Sequence, residues 1–303
     1  MIVSSVINRF EGSILLGAIG DAWGSAYENL AIPDEHTFYV IKEPEKPKVW
    51  QFTDDTQLTL ATCEAIIADE NLALETFVTC FLKYYNANRI NGIGASTLKA
   101  FHELNIGAHW SQTGRKGEYA AGNGAAMRIA PIAFLKDVSR ERIRELCYIT
   151  HQNEEAYVGA LAVVLIIREI IQNKRNNNTF MDIVIPQLPD TRVKDRLIAL
   201  QELESKSITD VGKLGNNGYV VNSVPLAIFA AQKIKSQSIK SIFEELIAVG
   251  GDTDTNCSIA GQIIGASIGI ENVPKELIDK IKNLHGYKHL ETIIAKLSNI
   301  PNL

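Results

Sequence analysis

Residues 153–173 read NEEAYVGALAVVLIIREIIQN, and this stretch decides the fold class. Drawn as a helix, it is apolar on nearly every side. Such a helix belongs at the centre of a bundle rather than on its surface. Its longest unbroken apolar run, residues 160–167, is far too short to span a bilayer. Helical periodicity continues outward in both directions. Toward the N-terminus, Phe10, Ile14, Leu15 and Ala18 share one helix face. Leu58, Ala61, Thr62, Ala65 and Ile66 share a second, and Leu74, Phe77, Val78, Phe81 and Leu82 a third. Toward the C-terminus the pattern repeats over residues 193–204, 225–234, 239–249, 255–268 and 290–297. Extended candidates are few: residues 38–41 and 219–221. Residues 42–48, 173–178 and 212–218 read as loops, none long enough for a domain linker. Without repeats or low-complexity segments, one helical domain over residues 1–303 is the simplest expectation.

Composition sets bounds on function. The chain is 46% hydrophobic and 21% charged, with a formal net charge of −5. Lys and Arg are scattered among Asp and Glu with no basic run, which argues against a nucleic-acid binder. Cys63, Cys80, Cys147 and Cys257 lie far apart, in no zinc or disulfide spacing, and read as small buried hydrophobes in a reducing compartment. The first ten residues lack the apolar core of a secretory signal, so a cytoplasmic protein without a membrane segment is expected.

Two acidic clusters stand where polarity changes abruptly. Thr53-Asp54-Asp55-Thr56 precedes one apolar helix; Asp252-Thr253-Asp254-Thr255 follows Gly250-Gly251 and precedes another. Asp and Thr suit the N-cap and the positive end of the helix dipole. Capping explains one carboxylate per helix start, not two. Neither cluster contains a Lys or Arg, and a divalent cation would relieve the repulsion. Oxygen ligands of this kind suit Mg²⁺, Mn²⁺ or Ca²⁺ rather than zinc. Four carboxylates converging from two helix starts would hold two ions, roughly 3.5–4 Å apart in such sites.

Other residues are ambiguous alone. The glycines of residues 17–24 fit close helix packing, but Asp21 among them should be buried and needs a partner, by backbone hydrogen bonds or in support of a metal ligand. Glu28, just past that helix, reads as a solvated loop residue. Gly122-Asn123-Gly124-Ala125-Ala126-Met127-Arg128 is a small-residue loop of the kind that presents N–H groups to phosphate, although an ordinary turn explains it too. Asn91-Gly92-Ile93-Gly94 is a second glycine turn before a helix. Thr150-His151 opens the long central helix, where a histidine serves as a cap, a packing residue or a ribose hydrogen-bond partner.

Taken in order, the blocks Gly12 to Ala22, Phe52-Thr53-Asp54-Asp55-Thr56, Gly122 to Arg128, Thr150-His151, Gly218-Tyr219-Val220-Val221 and Gly250 to Thr255 resemble the ADP-ribosylglycohydrolases, over nearly the whole chain. The resemblance implies an orthogonal all-α bundle with two Mg²⁺ or Mn²⁺ ions. It implies metal ligands at Thr53, Asp54, Asp55, Asp252, Asp254 and Thr255. Substrate contacts are implied at Gly94, Gly122, Asn123, Gly124, Ala125, Met127 and His151, with Tyr219 on the adenosine side. Glu28 falls where relatives carry a glutamate that gates the metal or acts as acid or base. Ala95-Ser96-Thr97 matches the family's turn only in part, and Cys257 stands where alanine is common.

The chemistry implied is hydrolysis of the glycosidic bond joining ribose C1″ to an amino-acid side chain, through an oxocarbenium-like transition state. Asp55 or Glu28 would take the proton from the attacking water. The expected substrate is an ADP-ribosylated protein, arginine-linked in the first instance. Three rivals stay open: an immunity protein that counteracts an ADP-ribosylating toxin by hydrolysis or binding, a crystallin-like structural member, and a Mg²⁺-dependent nucleotide phosphohydrolase.

Overall fold

The computed structural model describes residues 5–28, 49–172 and 178–300. Fifteen α-helices run through them. They are α1 (Val6–Ser25), α2 (Asp54–Ala68), α3 (Leu74–Asn86), α4 (Ala95–Asn105), α5 (Ala130–Ala133), α6 (Arg140–Tyr148), α7 (Glu154–Ile171) and α8 (Phe180–Val184). There follow α9 (Arg192–Gln201), α10 (Ile208–Gly212), α11 (Val220–Gln232), α12 (Ile239–Val249), α13 (Thr253–Ile268), α14 (Lys275–Ile281) and α15 (Tyr287–Leu297). Two two-residue strands, β1 (Arg115–Lys116) and β2 (His151–Gln152), pair in parallel. The all-helical class expected from the sequence is the class observed.

The central helix behaves as its composition requires. Asn153 caps α7, its side chain accepting from the Ala156 N–H at 3.1 Å, and Glu154 and Glu155 occupy the first turn. From Ala156 to Ile167 every residue is buried, and α7 packs against α5, α6, α8, α9, α11 and α13. Each such Val, Leu or Ile stabilises the fold by about 1.5–3 kcal/mol relative to exposure. The expected end of this helix, Asn173, lies outside the described residues. No described helix is long and apolar enough to cross a membrane.

The pair that positions the site is α1 against α13. A Cβ on Gly20 would sit 2.2 Å from the Cys257 carbonyl oxygen, and one on Gly265 would sit 2.1 Å from the Gly12 carbonyl oxygen. Only glycine fits, so the two backbones touch. This contact sets Asp21, near the C-terminal end of α1, beside the acidic start of α13.

Several expectations need correction. His151 does not open the long helix: it lies in β2, paired with Arg115, and the helix begins after Asn153. Residues 219–221 are not a strand. Tyr219 alone is extended, bridging Gly122 in antiparallel fashion, and Val220 and Val221 are buried in the first turn of α11. Their β-branched side chains fill space against α7, where Gly159 leaves room for Val220. The helix expected from residue 225 starts five residues earlier, with Pro225 inside it. A proline is best tolerated in the first turn, where its missing N–H costs nothing; here it is accepted within a helix buried at every residue but Asn222. The helix expected over residues 193–204 ends at Gln201. The extended candidate at residues 38–41, the loop at residues 42–48 and most of the loop at residues 173–178 lie outside the described residues.

Candidate active site

The starts of α2 and α13 meet over Asp21. Thr53 is the N-cap of α2 and Asp252 occupies the N-cap position of α13. Asp21, fully buried, accepts from the Thr53 N–H at 3.0 Å, the Thr53 hydroxyl at 2.6 Å, the Thr56 N–H at 3.2 Å and the Thr56 hydroxyl. It therefore clamps the first turn of α2, the supporting role open to it from sequence. Across the gap, the Thr255 hydroxyl donates to Asp55 Oδ2 at 3.1 Å, and Asn123 Nδ2 donates to Asp252 Oδ2 at 2.6 Å.

The carboxylates fall into two groups that share one member. Ligand atoms of Asp21, Asp55 and Asp254 lie within 4.8 Å of one another, and so do those of Glu28, Asp252 and Asp254. Among the described residues, no Lys or Arg forms an ion pair with Asp21, Asp54, Asp55, Asp252 or Asp254. Buried Asp55 Oδ1 has no hydrogen-bond partner at all. Without a cation, burial pushes each acid toward its neutral form. Asp21 rises to about 6 because of burial, against the pull of its Thr53 and Thr56 hydrogen bonds. Asp54 rises to about 8 through burial, with the Gly94 N–H opposing and Asp21 and Asp252 adding repulsion. Asp55 is raised well above the carboxylate range by burial, then by Asp21, Asp54 and Asp252. Asp254 is pushed up to about 11 by burial, then by Asp55 and Asp252. A cluster of crowded oxygens with no positive partner and an orphaned buried acceptor fits hard divalent cations, and the shared Asp254 fits a pair of them.

A cleft of about 420 Å³ opens above this cluster. Glu28, Asp54, Asp252, Asp254 and Thr255 line it, as do Gly94, Gly122, Asn123, Gly124, Met127 and His151. Thr53 and Asp55 lie behind that surface, 3% and 1% exposed. Ala125 is buried beneath the loop rather than lining the cleft, and Tyr219, expected on the adenosine side, does not line it either. The Tyr219 hydroxyl instead accepts from Arg192 at 3.5 Å.

The two glycine turns are built into the site. The Asp54 N–H donates to the Asn91 carbonyl at 2.8 Å, and the Gly94 N–H to Asp54 Oδ2 at 3.3 Å. The loop at Gly122 is pinned by Asn123 N–H to the Gly218 carbonyl, 3.1 Å, and Val220 N–H to the Ala121 carbonyl, 2.9 Å. Among the described residues, the N–H groups of Gly124 and Ala125 find no acceptor in the chain, and buried donors of that kind call for a ligand oxygen. His151 packs beneath the loop: a Cβ on Gly122 would lie 3.1 Å from its Nε2. Burial, then Arg128 and Arg115, pull its imidazole down to about 3, so it is neutral.

Arg115, Tyr119, Ser96, Thr97, Asn217, Gly218 and Gly251 also line the cleft and were not singled out from sequence as site residues. Asn217 and Gly218 lay in what read as an ordinary loop; their proximity to Asp252 follows from the Asp252 N–H donating to the Asn216 carbonyl at 3.0 Å. The available signals were the glycine at 218 beside two asparagines and its place in the Gly218-Tyr219-Val220-Val221 block. Arg115 and Tyr119 had none.

Known proteins resemble this chain along nearly its whole length. A family model described as ADP-ribosylglycohydrolase matches residues 3–301. The ADP-ribosylhydrolase ARH3 of Xenopus tropicalis is 26% identical over 97% of this chain and 96% of its own. The ADP-ribosylarginine hydrolase Tri1 of Serratia proteamaculans (strain 568) is 27% identical over 92% of this chain and 76% of its own. A solved structure described as an ADP-ribosylglycohydrolase-related protein complex superposes with a TM-score of 0.66, at 20% identity, over 97% of this chain and 98% of that one.

Proposed function

The chain belongs to the ADP-ribosylglycohydrolase family, and from that premise we propose that it acts as one domain to release mono-ADP-ribose from modified protein side chains, arginine-linked before others. Relatives named ADP-ribosylhydrolase and ADP-ribosylarginine hydrolase support ADP-ribosyl hydrolysis as the activity, and the latter support arginine as the linkage. The observation that carries the reading is the pair of carboxylate groups sharing Asp254 on the floor of a cleft roofed by glycine loops.

Thr53, Asp54, Asp55, Asp252, Asp254 and Thr255 would hold two Mg²⁺ or Mn²⁺ ions, with Asp21 bracing the first turn of α2. Such ions, when bound, neutralise the carboxylates, orient hydroxyl oxygens and acidify water. The chain's own groups do the rest. The free N–H donors at Gly124 and Ala125 take phosphate oxygens and anchor the diphosphate, which fixes the ribose against the acidic floor. His151 donates to a ligand oxygen from below the loop. Glu28 lines the cleft and is partly exposed, whereas Asp55 lies behind it with Oδ2 bonded to Thr255. That difference in exposure supports Glu28 over Asp55 as the group that takes a proton from water, with Asp55 as a ligand. The transition state gathers positive charge on the ribose as the bond to the side chain breaks.

The test is a panel of arginine-, serine- and cysteine-linked ADP-ribosyl substrates, each with Mg²⁺ and with chelator. Release from the arginine linkage, abolished by chelator, is expected. Release from serine or cysteine with none from arginine would overturn the linkage, and undiminished release in chelator would overturn the metal site.

A further inference from the structure

Behind the cleft lies an arginine with no acidic partner among the described residues. Arg128 is 3% exposed, at the end of the glycine loop. Its guanidinium donates to the Gly124 carbonyl, to the Leu146 carbonyl at 3.3 Å and to the Thr150 hydroxyl at 2.8 Å, and it stacks 5.2 Å from the Phe81 ring centre. The Thr150 oxygen is also 2.8 Å from His151 Nδ1.

Hydrogen-bond accounting fixes the protons. A guanidinium only donates, so the Thr150 oxygen accepts from Arg128. Thr150 is fully buried, and its single hydroxyl proton needs an acceptor. Among the described residues that acceptor is His151 Nδ1. With Nδ1 protonated instead, both donors would point at one oxygen and the hydroxyl proton would be stranded. The other ring nitrogen, Nε2, then carries the imidazole proton. It lies against the two loop glycines: a Cβ on Gly122 would be 3.1 Å from it and one on Gly124 3.3 Å. The ring lines the cleft. Burial, and after it the cationic neighbours Arg128 and Arg115, keep the ring from taking a second proton.

We infer that Arg128 is a positioning residue: through the Thr150 hydroxyl it holds His151 as the neutral tautomer protonated on Nε2, which donates one hydrogen bond to an oxygen of the nucleotide-sugar bound in the cleft. The inference rests on the proposed binding of ADP-ribose there. The same guanidinium ties down the Gly124 carbonyl. The loop that offers N–H donors and the imidazole beneath it are thus set by one buried cation, and ligand-oxygen donors from both stay in register. A phosphoryl or ribose-ring oxygen, which accepts without needing to donate, matches a site whose ring nitrogen can only donate.

The experiment uses the full chain labelled with nitrogen-15 histidine. Long-range proton–nitrogen correlation spectra report the tautomer, and the His151 signals are identified by their loss in His151→Gln. ADP-ribose binding is measured by calorimetry on wild type, Thr150→Val and Thr150→Ser. The expected result is a proton on Nε2 in wild type at neutral pH. Thr150→Val should lose that single tautomer and bind ADP-ribose about tenfold more weakly, the loss of one well-made hydrogen bond. Thr150→Ser should keep both properties. A wild-type His151 protonated on Nδ1 overturns the inference even if Thr150→Val fails to fold. A Thr150→Val protein with wild-type tautomer and affinity overturns it as well. The Nε2 tautomer together with no ADP-ribose binding supports the positioning and overturns the proposed ligand.

Discussion

Replacing Gly20 by alanine perturbs the site without touching any ligand atom. The new Cβ would lie 2.2 Å from the Cys257 carbonyl oxygen, about 1 Å inside an ordinary contact of 3.4 Å. The obstacle is backbone, so no side chain can turn aside; α1 and α13 must part. Overpacking of this kind costs about 1–3 kcal/mol. Alanine returns about 1 kcal/mol through its better helix propensity. The net loss, about 0–2 kcal/mol, is small beside a total stability of about 5–15 kcal/mol, so the protein should fold, melting at most a few degrees lower. Function should suffer more. Gly20 is adjacent to Asp21 in α1, and Cys257 is one turn past Asp254 in α13. Moving one helix by about 1 Å separates carboxylates that must converge, and misplacement on that scale costs on the order of 10²-fold in rate. The assay is a thermal melt with and without Mg²⁺, alongside ADP-ribose release. Gly94→Ala is the control for stability, since its Cβ would meet nothing within 4 Å. A Gly20→Ala protein with wild-type melting temperature, Mg²⁺ response and rate would refute the claim that backbone contact between α1 and α13 assembles the site.

Three further outcomes follow from the electrostatics. Asp54→Ala and Asp254→Ala should each abolish ADP-ribose release and the rise in melting temperature on adding Mg²⁺, since ligand binding to the folded state alone raises stability by mass action; either effect surviving would contradict the metal assignment. In chelator, Asp54→Asn should be more stable than wild type. The folded Asp54 holds its proton up to about 8, against 3.8 when unfolded, so the wild-type penalty begins above 3.8 and is complete only above about 8. Denaturant titrations across that window should show the gap widening with pH; a flat gap contradicts it. For His151→Gln the sign reverses. His151 titrates at about 3 folded and near 6.5 unfolded, so wild type loses stability relative to the variant as pH falls from 6.5 toward 3. Parallel stability curves would show that His151 is not buried as described.

Much of the fold was readable because periodicity reports burial. Residues 153–173 announced a central helix, and the acid-then-apolar junctions at Thr53 and Asp252 announced helix starts. What escaped was structure set by neighbours. The charged string of α6, Arg140–Tyr148, hides the apolar side chains Ile143, Leu146 and Cys147 that bury it. Val220 and Val221 read as strand because β-branched residues suit strands, yet both lie in the first turn of α11, where Val220 packs against Gly159. His151 gave no hint that a two-residue strand would place it, since pairing with Arg115 spans 36 positions. Within the site, the paired carboxylates were legible from their mutual repulsion alone. The lining residues Arg115, Tyr119 and Asn217 were not, because surface position at a cleft leaves no periodic trace. The glycines of α1 were legible as packing residues, but not that their packing carries Asp21 to the acidic floor.

The most direct measurement is the identity of the products formed from an arginine-ADP-ribosylated protein incubated with the chain and Mg²⁺, resolved by mass. The expected products are intact ADP-ribose and an unmodified arginine side chain, with none formed in chelator. AMP and a protein still carrying phosphoribose would show cleavage of the diphosphate instead, and would contradict the assignment of this cleft to glycosidic hydrolysis.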